Sequence, residues 1–226
     1  KKEILLSTYI CHPSMANNEL SGIAVLTFIA KFISKMRNRK FSYRIVFVPE
    51  TIGSIAFINK NINNLKKNVY AGFNVTCIGD NRSYSYLPTR NGSTISDEIA
   101  KHVLYQKDRN FKKYHWKDRG SDERQYNAPG VDLPIASLMR TKYREYPEYH
   151  TSLDNLEKVV TPEGLQGGYD LVKDCLIILE RNYIPKVTTL CEPQLGKRKL
   201  YPQTGFKGIP KEISLLRDVI SYSDGT

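Results

Sequence analysis

No apolar stretch in this chain approaches the roughly 18 residues that a membrane-spanning helix needs. No Cys-x-x-Cys pair, internal repeat or low-complexity tract occurs either. The four cysteines, Cys11, Cys77, Cys175 and Cys191, stand far apart. That excludes a disulfide framework and a zinc knuckle, and predicts a reducing, cytoplasmic setting. The start, Lys1-Lys2-Glu3 leading into a strand, is not a signal peptide. With no initiator Met, an upstream part outside this sequence is expected. Acidic residues are outnumbered, 23 against 34 Lys and Arg, giving a net charge of +11. The excess is spread thinly and is densest at Lys35–Lys40, Lys107–Lys117 and Lys197–Lys199. A basic surface without a dedicated partner and an anionic partner both remain open.

What is present is ordinary for a globular chain: 226 residues, 40% hydrophobic and 25% charged. That suffices for one α/β domain with a small appendage. Glu3–Ile10, Tyr43–Val48, Ala71–Ile78 and Leu133–Leu138 are short apolar, β-branched runs and predict buried strands. Between them, Leu20–Met36, Gly53–Lys67 and Ser96–Tyr105 read as helices. Asn17 and Asn18 are expected to cap the first of these. A last helix runs from about Pro162 to Arg181, capped by Thr161 with Pro162 at the first helical position. The alternation predicts a mainly parallel sheet with helices on both faces.

After Asn182 the composition changes to prolines, glycines and the Lys197–Lys199 cluster, followed by a short amphipathic helix around Ile213–Ile220. The expected organisation is an α/β domain over residues 1–182 and, over 183–226, a linker with the start of an incomplete second domain.

In parallel α/β sheets, ligands bind beyond the carboxyl ends of the strands. His12 follows the first predicted strand, Glu50 the second and Asp80 the third. A Tyr-rich loop after the strand ending near Leu138 delivers His150. Two imidazoles and two carboxylates on one rim are a suitable donor set for zinc or manganese. Asp122 reads either as a helix N-cap paired with Arg124 or as a site residue. Tyr143, Tyr146 and Tyr149 could wall a pocket, and Arg90 and Arg140 could clamp an anionic group.

The local motifs are HPSMANNELSG at His12, VPETIGS at Glu50, CIGD at Asp80, GSDERQYNAPGVDLP at Asp122 and YHTSLDNLEKV at His150. In this order, over roughly residues 3–182, they resemble the co-catalytic zinc aminopeptidases. They are closer still to a bacterial group of aminopeptidase-like proteins. That group carries a C-terminal winged helix introduced by a segment like Cys191–Pro202, CEPQLGKRKLYP. The resemblance implies two zinc ions bridged by one Asp, with His12 and Asp80 on one and His150 and a Glu on the other. It also implies a water activated by a Glu and a substrate held by its free α-amine.

Three positions depart from that pattern. Asn18 stands where the bridging Asp would be, and a neutral amide bridges two cations poorly. The Glu pair is reduced to Pro49-Glu50-Thr51, so Glu50 can be base or ligand but not both. His12-Pro13-Ser14 lacks an orienting Asp. Glu19 could move in as a substitute bridge, but the expected helix would aim it elsewhere.

The expected function is a metal-dependent hydrolase, with one or two zinc ions or manganese, cleaving an amide in a peptide or amino-modified sugar. His12, Asn18, Glu50, Asp80 and His150 would form the metal centre. Glu50 and Asp122 would be catalytic, and Tyr146, Tyr149 and Arg140 would contact substrate. A catalytically degenerate binding or assembly module is the alternative, and a nucleic-acid-associated protein a weaker third. The C-terminal segment is expected to dock a protein partner or a second copy. No membrane association is expected.

Overall fold

The computed structural model describes residues 1–201 and 208–225. Six strands, β1 (Glu3–Tyr9), β2 (Ser42–Val48), β3 (Val69–Val75), β4 (Ser85–Leu87), β5 (Lys112–Lys113) and β6 (Ile135–Met139), lie in the order β2-β1-β3-β6-β4-β5. The first four in space, β2, β1, β3 and β6, are parallel. β4 runs antiparallel to β6, and β5 parallel to β4.

The helices are α1 (Ser21–Lys35), α2 (Ile52–Asn68), α3 (Ile95–Lys107), α4 (Glu123–Tyr126), α5 (Pro162–Arg181) and α6 (Lys211–Ser221). The expected mainly parallel sheet flanked by helices is what is found. Successive side chains of a strand face opposite ways. In β1, Ile4 and Leu6 therefore pack with Val25, Leu26 and Ile29 of α1 and Leu171 and Leu176 of α5. Leu5 packs on the other face with Ile58 and Leu65 of α2 and Tyr126 of α4. All seven residues of β1 are buried, which explains its continuous apolar run rather than an alternating one. Each such Leu or Ile contributes roughly 1.5–3 kcal/mol of burial.

Strands β4 and β5 had no counterpart in the sequence reading. They are three and two residues long, too short to show a period. β3 ends at Val75 rather than Ile78, because the chain turns there and Cys77 takes φ +46°. Residues Ala16–Leu20 are a π-helical turn before α1, with Leu20 N–H donating to the carbonyl five residues back, Met15, at 3.2 Å. Asn17 and Asn18 lie within this turn, and Met15, at the cap position, forms no side-chain cap, a correction to the expected Asn caps. Thr161 does cap α5, accepting from Gly164 N–H at 2.9 Å.

The chain passes from β1 to β2 on one side and returns to β3 on the other, so the strand order reverses between β1 and β3. The crevice beyond the carboxyl ends of those two strands is where such sheets bind ligands.

Residues 1–180 form one compact unit and 181–226 another. In the second, Lys186 and Asp224 form an antiparallel bridge, and Val187 N–H donates to Ser223 O at 2.8 Å. Here α6 leaves Leu215 and Val219 exposed. Pro202, the end of the Cys191–Pro202 motif, lies outside the described residues. Among the described residues no helix is long and apolar enough to cross a membrane.

Candidate functional site at the carboxyl rim of the sheet

Past β1, the backbone delivers His12 and then the π-helical turn. That turn is clamped by Asp154: its carboxylate accepts Asn17 N–H at 2.7 Å, Asn18 N–H at 3.0 Å and the Tyr146 hydroxyl at 2.9 Å. Ala16 N–H donates to the Asp154 carbonyl at 2.9 Å. A π turn displaces side chains from where a regular helix would aim them, and such turns are frequent at functional sites. Here it turns Glu19 inward. Its Oε2 lies 4.0 Å from His12 Nδ1 and is buried without a hydrogen-bond partner. Burial pushes the Glu19 carboxyl above its ordinary value.

Asn18 sits beside them. Its Oδ1 is 3.0 Å from the Tyr9 hydroxyl, and its Nδ2 is 3.4 Å from His12 Nδ1. The residue reaching this point from the exit of β3 is Thr76, whose hydroxyl donates to Tyr9 Oη at 2.6 Å. Asp80 lies farther along and is fully buried. Its Oδ1 accepts Arg82 N–H at 3.0 Å and the Thr141 hydroxyl at 2.6 Å. Its Oδ2 accepts Thr141 N–H at 2.8 Å and the Asn17 amide at 3.1 Å.

The Tyr-rich loop brings His150 to 4.6 Å from the His12 ring, centroid to centroid. Tyr149 stacks on His150 at 3.9 Å, and Tyr146 meets Tyr149 edge-on at 5.6 Å. Burial, then the neighbouring His12, pushes the His150 imidazole below its ordinary value. Tyr146 is buried, so it supports the wall rather than lining it, whereas Tyr149 is half-buried. Arg140 is buried against Tyr84, 3.7 Å from that ring, and donates to Asp80 O and Asn81 Oδ1. Its guanidinium is committed to protein partners.

Glu50 joins this group from β2, and its charge raises the carboxyls of Glu19 and Asp122 and opposes the loss of the His150 proton. The next residue, Thr51, has φ +62° and ψ −70°, a strained conformation for a β-branched side chain. It is held by Thr51 N–H to Asp122 Oδ1 at 2.7 Å and by Arg124 to the Thr51 hydroxyl at 2.6 Å. Asp122 also accepts from the Ser54 hydroxyl at 2.9 Å. It forms no side-chain cap on α4, and Arg124 contacts Thr51, so the capping and Arg124-pairing reading gives way to a role in the Glu50 turn.

Burial pushes Asp122 up to about 6, against about 3.9 for an unfolded Asp. Thr51 N–H and the Ser54 hydroxyl oppose this, while Glu50 and Glu123 reinforce it. The folded chain thus holds this proton more tightly than the unfolded one. Stability attributable to Asp122 falls as pH rises from about 4 to about 6, by roughly 3 kcal/mol, and stays low above that. Asp122→Asn keeps an oxygen for Thr51 and Ser54 and removes the charge. The expected result is a Tm several degrees above wild type at pH 7.5, with the slope between pH 4 and 6 flattened. Parallel stability curves for the two proteins would refute it.

Sequence reasoning considered Glu19 only as a substitute bridge that the helix would aim elsewhere, and it missed Thr76 and Asp154. Asp154 was visible as the last residue of YHTSLD, whereas nothing in ANNEL announces a π turn.

These positions can be compared with known proteins. The family described as "Domain of unknown function (DUF4910)" matches residues 1–182. The chain belongs to this family. Residues 183–226 of this DUF4910 chain match a winged helix-turn-helix family. A Clostridium acetobutylicum protein, described through polysaccharide biosynthesis and an aminopeptidase-like domain, is 43% identical over 228 residues. The match covers 100% of this chain and 51% of that protein, so the chain spans about half its relative's length. A crystal structure from C. acetobutylicum, described as a candidate peptidase, matches with a TM-score of 0.83 and 40% identity, over 100% of this chain and 50% of that one. A zinc aminopeptidase from Bacillus subtilis matches with a TM-score of 0.62 and 18% identity, over 79% of this chain and 46% of that one. That likeness shows the fold alone.

The fold therefore raises the question of zinc, and the residues answer it. Among the described residues no three His, Cys, Asp or Glu side chains gather as a metal ion requires. Asn18 offers a neutral amide, and both oxygens of Asp80 are taken by protein donors. These residues do not fit a two-zinc centre.

Proposed function

We propose that the rim binds a cationic amine, either the free amino end of a peptide or the amino group of an amino-modified sugar. The observation that carries this reading is Glu19 Oε2, buried without a hydrogen-bond partner and 4.0 Å from His12. A buried carboxylate oxygen without a donor is costly, and an ammonium group supplies three donors and the opposite charge. Asp122 Oδ2 is a second buried carboxylate oxygen without a partner, and Glu50 adds a further negative charge. The stacked Tyr149 and His150 rings offer an apolar face for a sugar ring or side chain. The polysaccharide wording of the Clostridium relative favours the amino-sugar form.

Hydrolysis of an amide next to that amine is the second reading, favoured by the strain at Thr51, which fixes Glu50 at the rim. In that step Glu50 takes a proton from water, the water oxygen bonds to the amide carbon, and the amine leaves carrying the proton.

Titrating glucosamine, a dipeptide amide and, as the uncharged control, glucose against wild type and Glu19→Gln tests both readings, with amide resonances as readout. Saturable binding of an amine, weakened roughly 10- to 100-fold in the variant, is the expected result. Glucose should not bind. Absence of saturable binding by any amine would sink the proposal. Release of amine from an aminoacyl-sugar or peptide substrate, lost in Glu50→Gln, would carry the second reading, and binding without release would remove it.

A further inference from the structure

We infer that this domain cannot assemble a two-metal centre, because hydrogen bonds within the protein have taken over the carboxylates that would anchor the metals.

Two divalent cations about 3.5–4 Å apart need a bridging anion and several further ligands each. At the bridge position, Asn18 is neutral, and its Oδ1 faces the Tyr9 hydroxyl at 3.0 Å. Asp80 carries two protein donors on each oxygen, from Arg82 and Thr141 on one and from Asn17 and Thr141 on the other. Those bonds close the β3 exit onto the loop after β6, so freeing the carboxylate would open both. Asp154 is engaged in the same way by Asn17, Asn18 and Tyr146.

At the exit of β3, where a third anionic ligand could reach Asn18, Thr76 presents a hydroxyl already bonded to Tyr9. What remains without full protein partners on the rim is His12, Glu19, Glu50, His150 and one oxygen of Asp122, whose other oxygen holds Thr51 N–H and the Ser54 hydroxyl. Their three negative charges at most face the four positive charges of a metal pair. Such a set suits one cation at most.

The test is metal stoichiometry on the full chain without a histidine tag, after exposure to excess zinc and desalting. Manganese titration followed by electron paramagnetic resonance would run in parallel, because two bridged manganese ions give an exchange-coupled signal. Zero or one equivalent at the rim, with no coupled signal, is the expected result. Zinc that persists in the His12→Ala/His150→Ala double variant lies elsewhere and leaves the inference standing. Two equivalents, both lost in that double variant and accompanied by a coupled manganese pair, would overturn it. Amine binding is read separately by resonance shifts, so either proposal can fail without the other.

Discussion

Replacing Asp154 with Ala is expected to lower stability by about 4 kcal/mol, a drop in Tm on the order of 10 °C for a chain of this size. Asp154 is fully buried and holds three donors from two separate segments: Asn17 N–H and Asn18 N–H in the π turn, and the Tyr146 hydroxyl in the loop that carries His150. Ala leaves all three inside the protein without an acceptor. Each buried donor left unsatisfied costs roughly 1–3 kcal/mol, and bonds to a charged acceptor lie at the upper end. Relaxation and water entry reduce the sum. The loss reaches function as well, because the same carboxylate positions Glu19 and the His150 loop relative to one another. Thermal denaturation with the amine titration reads both effects. A variant with unchanged Tm and unchanged amine affinity would show that Asp154 does not clamp the turn. Asp154→Asn should recover only part of the loss, since one amide oxygen replaces two acceptors.

The central sheet was legible because its signals are local and repeated. β1, β2, β3 and β6 contain short apolar runs, α5 has a Thr161 cap, and α1, α2 and α5 each bury an apolar face. The rim was legible in outline for the same reason: a parallel sheet places strand ends together, so His12, Glu50 and His150 could be expected near one another. What sequence could not supply is the direction of side chains in irregular backbone. Glu19 was expected to point away, and it points in because Leu20 bonds to Met15 rather than to a residue four back. Asp80 was expected at the rim because it follows Gly79 at the apparent end of a strand. The strand stops at Val75 instead, and the intervening turn carries Asp80 to Thr141.

Among the described residues, four of the eight non-glycine residues with positive φ lie on this irregular backbone. Thr51, Cys77, Arg144 and His150 all have positive φ without being glycine. Thr51 follows Glu50, Cys77 follows Thr76, and Arg144 lies on the loop that ends at His150. Such conformations cost on the order of 1–3 kcal/mol each when strained, and persist only where the surroundings impose them. Hydrogen bonds from Thr51 N–H to Asp122 and from Arg124 to the Thr51 hydroxyl impose one of them. Among the carboxylates of this rim, Asp80 and Asp154 shape backbone with both oxygens and Asp122 with one, whereas Glu19 keeps a buried oxygen without a protein donor.

Asp80→Asn separates these two roles for the one residue that the family resemblance and the structure treat differently. As a metal ligand in an otherwise open site, a buried Asp without its metal repels its surroundings. Its amide would then stabilise the metal-free protein while abolishing metal uptake. As a backbone latch, Asp80 accepts from four donors, two on each oxygen. An amide then places an NH2 group against donors from either Arg82 and Thr141 or Asn17 and Thr141, whichever way it is turned. Turned the first way, Arg82 N–H loses its acceptor while the Thr141 hydroxyl can turn to accept from the amide; turned the other way, the Asn17 amide and Thr141 N–H both lose theirs. The expected result is a loss of about 2 kcal/mol, visible as a Tm decrease on the order of 4–8 °C. Zinc uptake should stay at the wild-type level, because Asp80 does not face the cleft. A rise in Tm of the metal-free variant, together with loss of bound zinc, would return Asp80 to the metal centre.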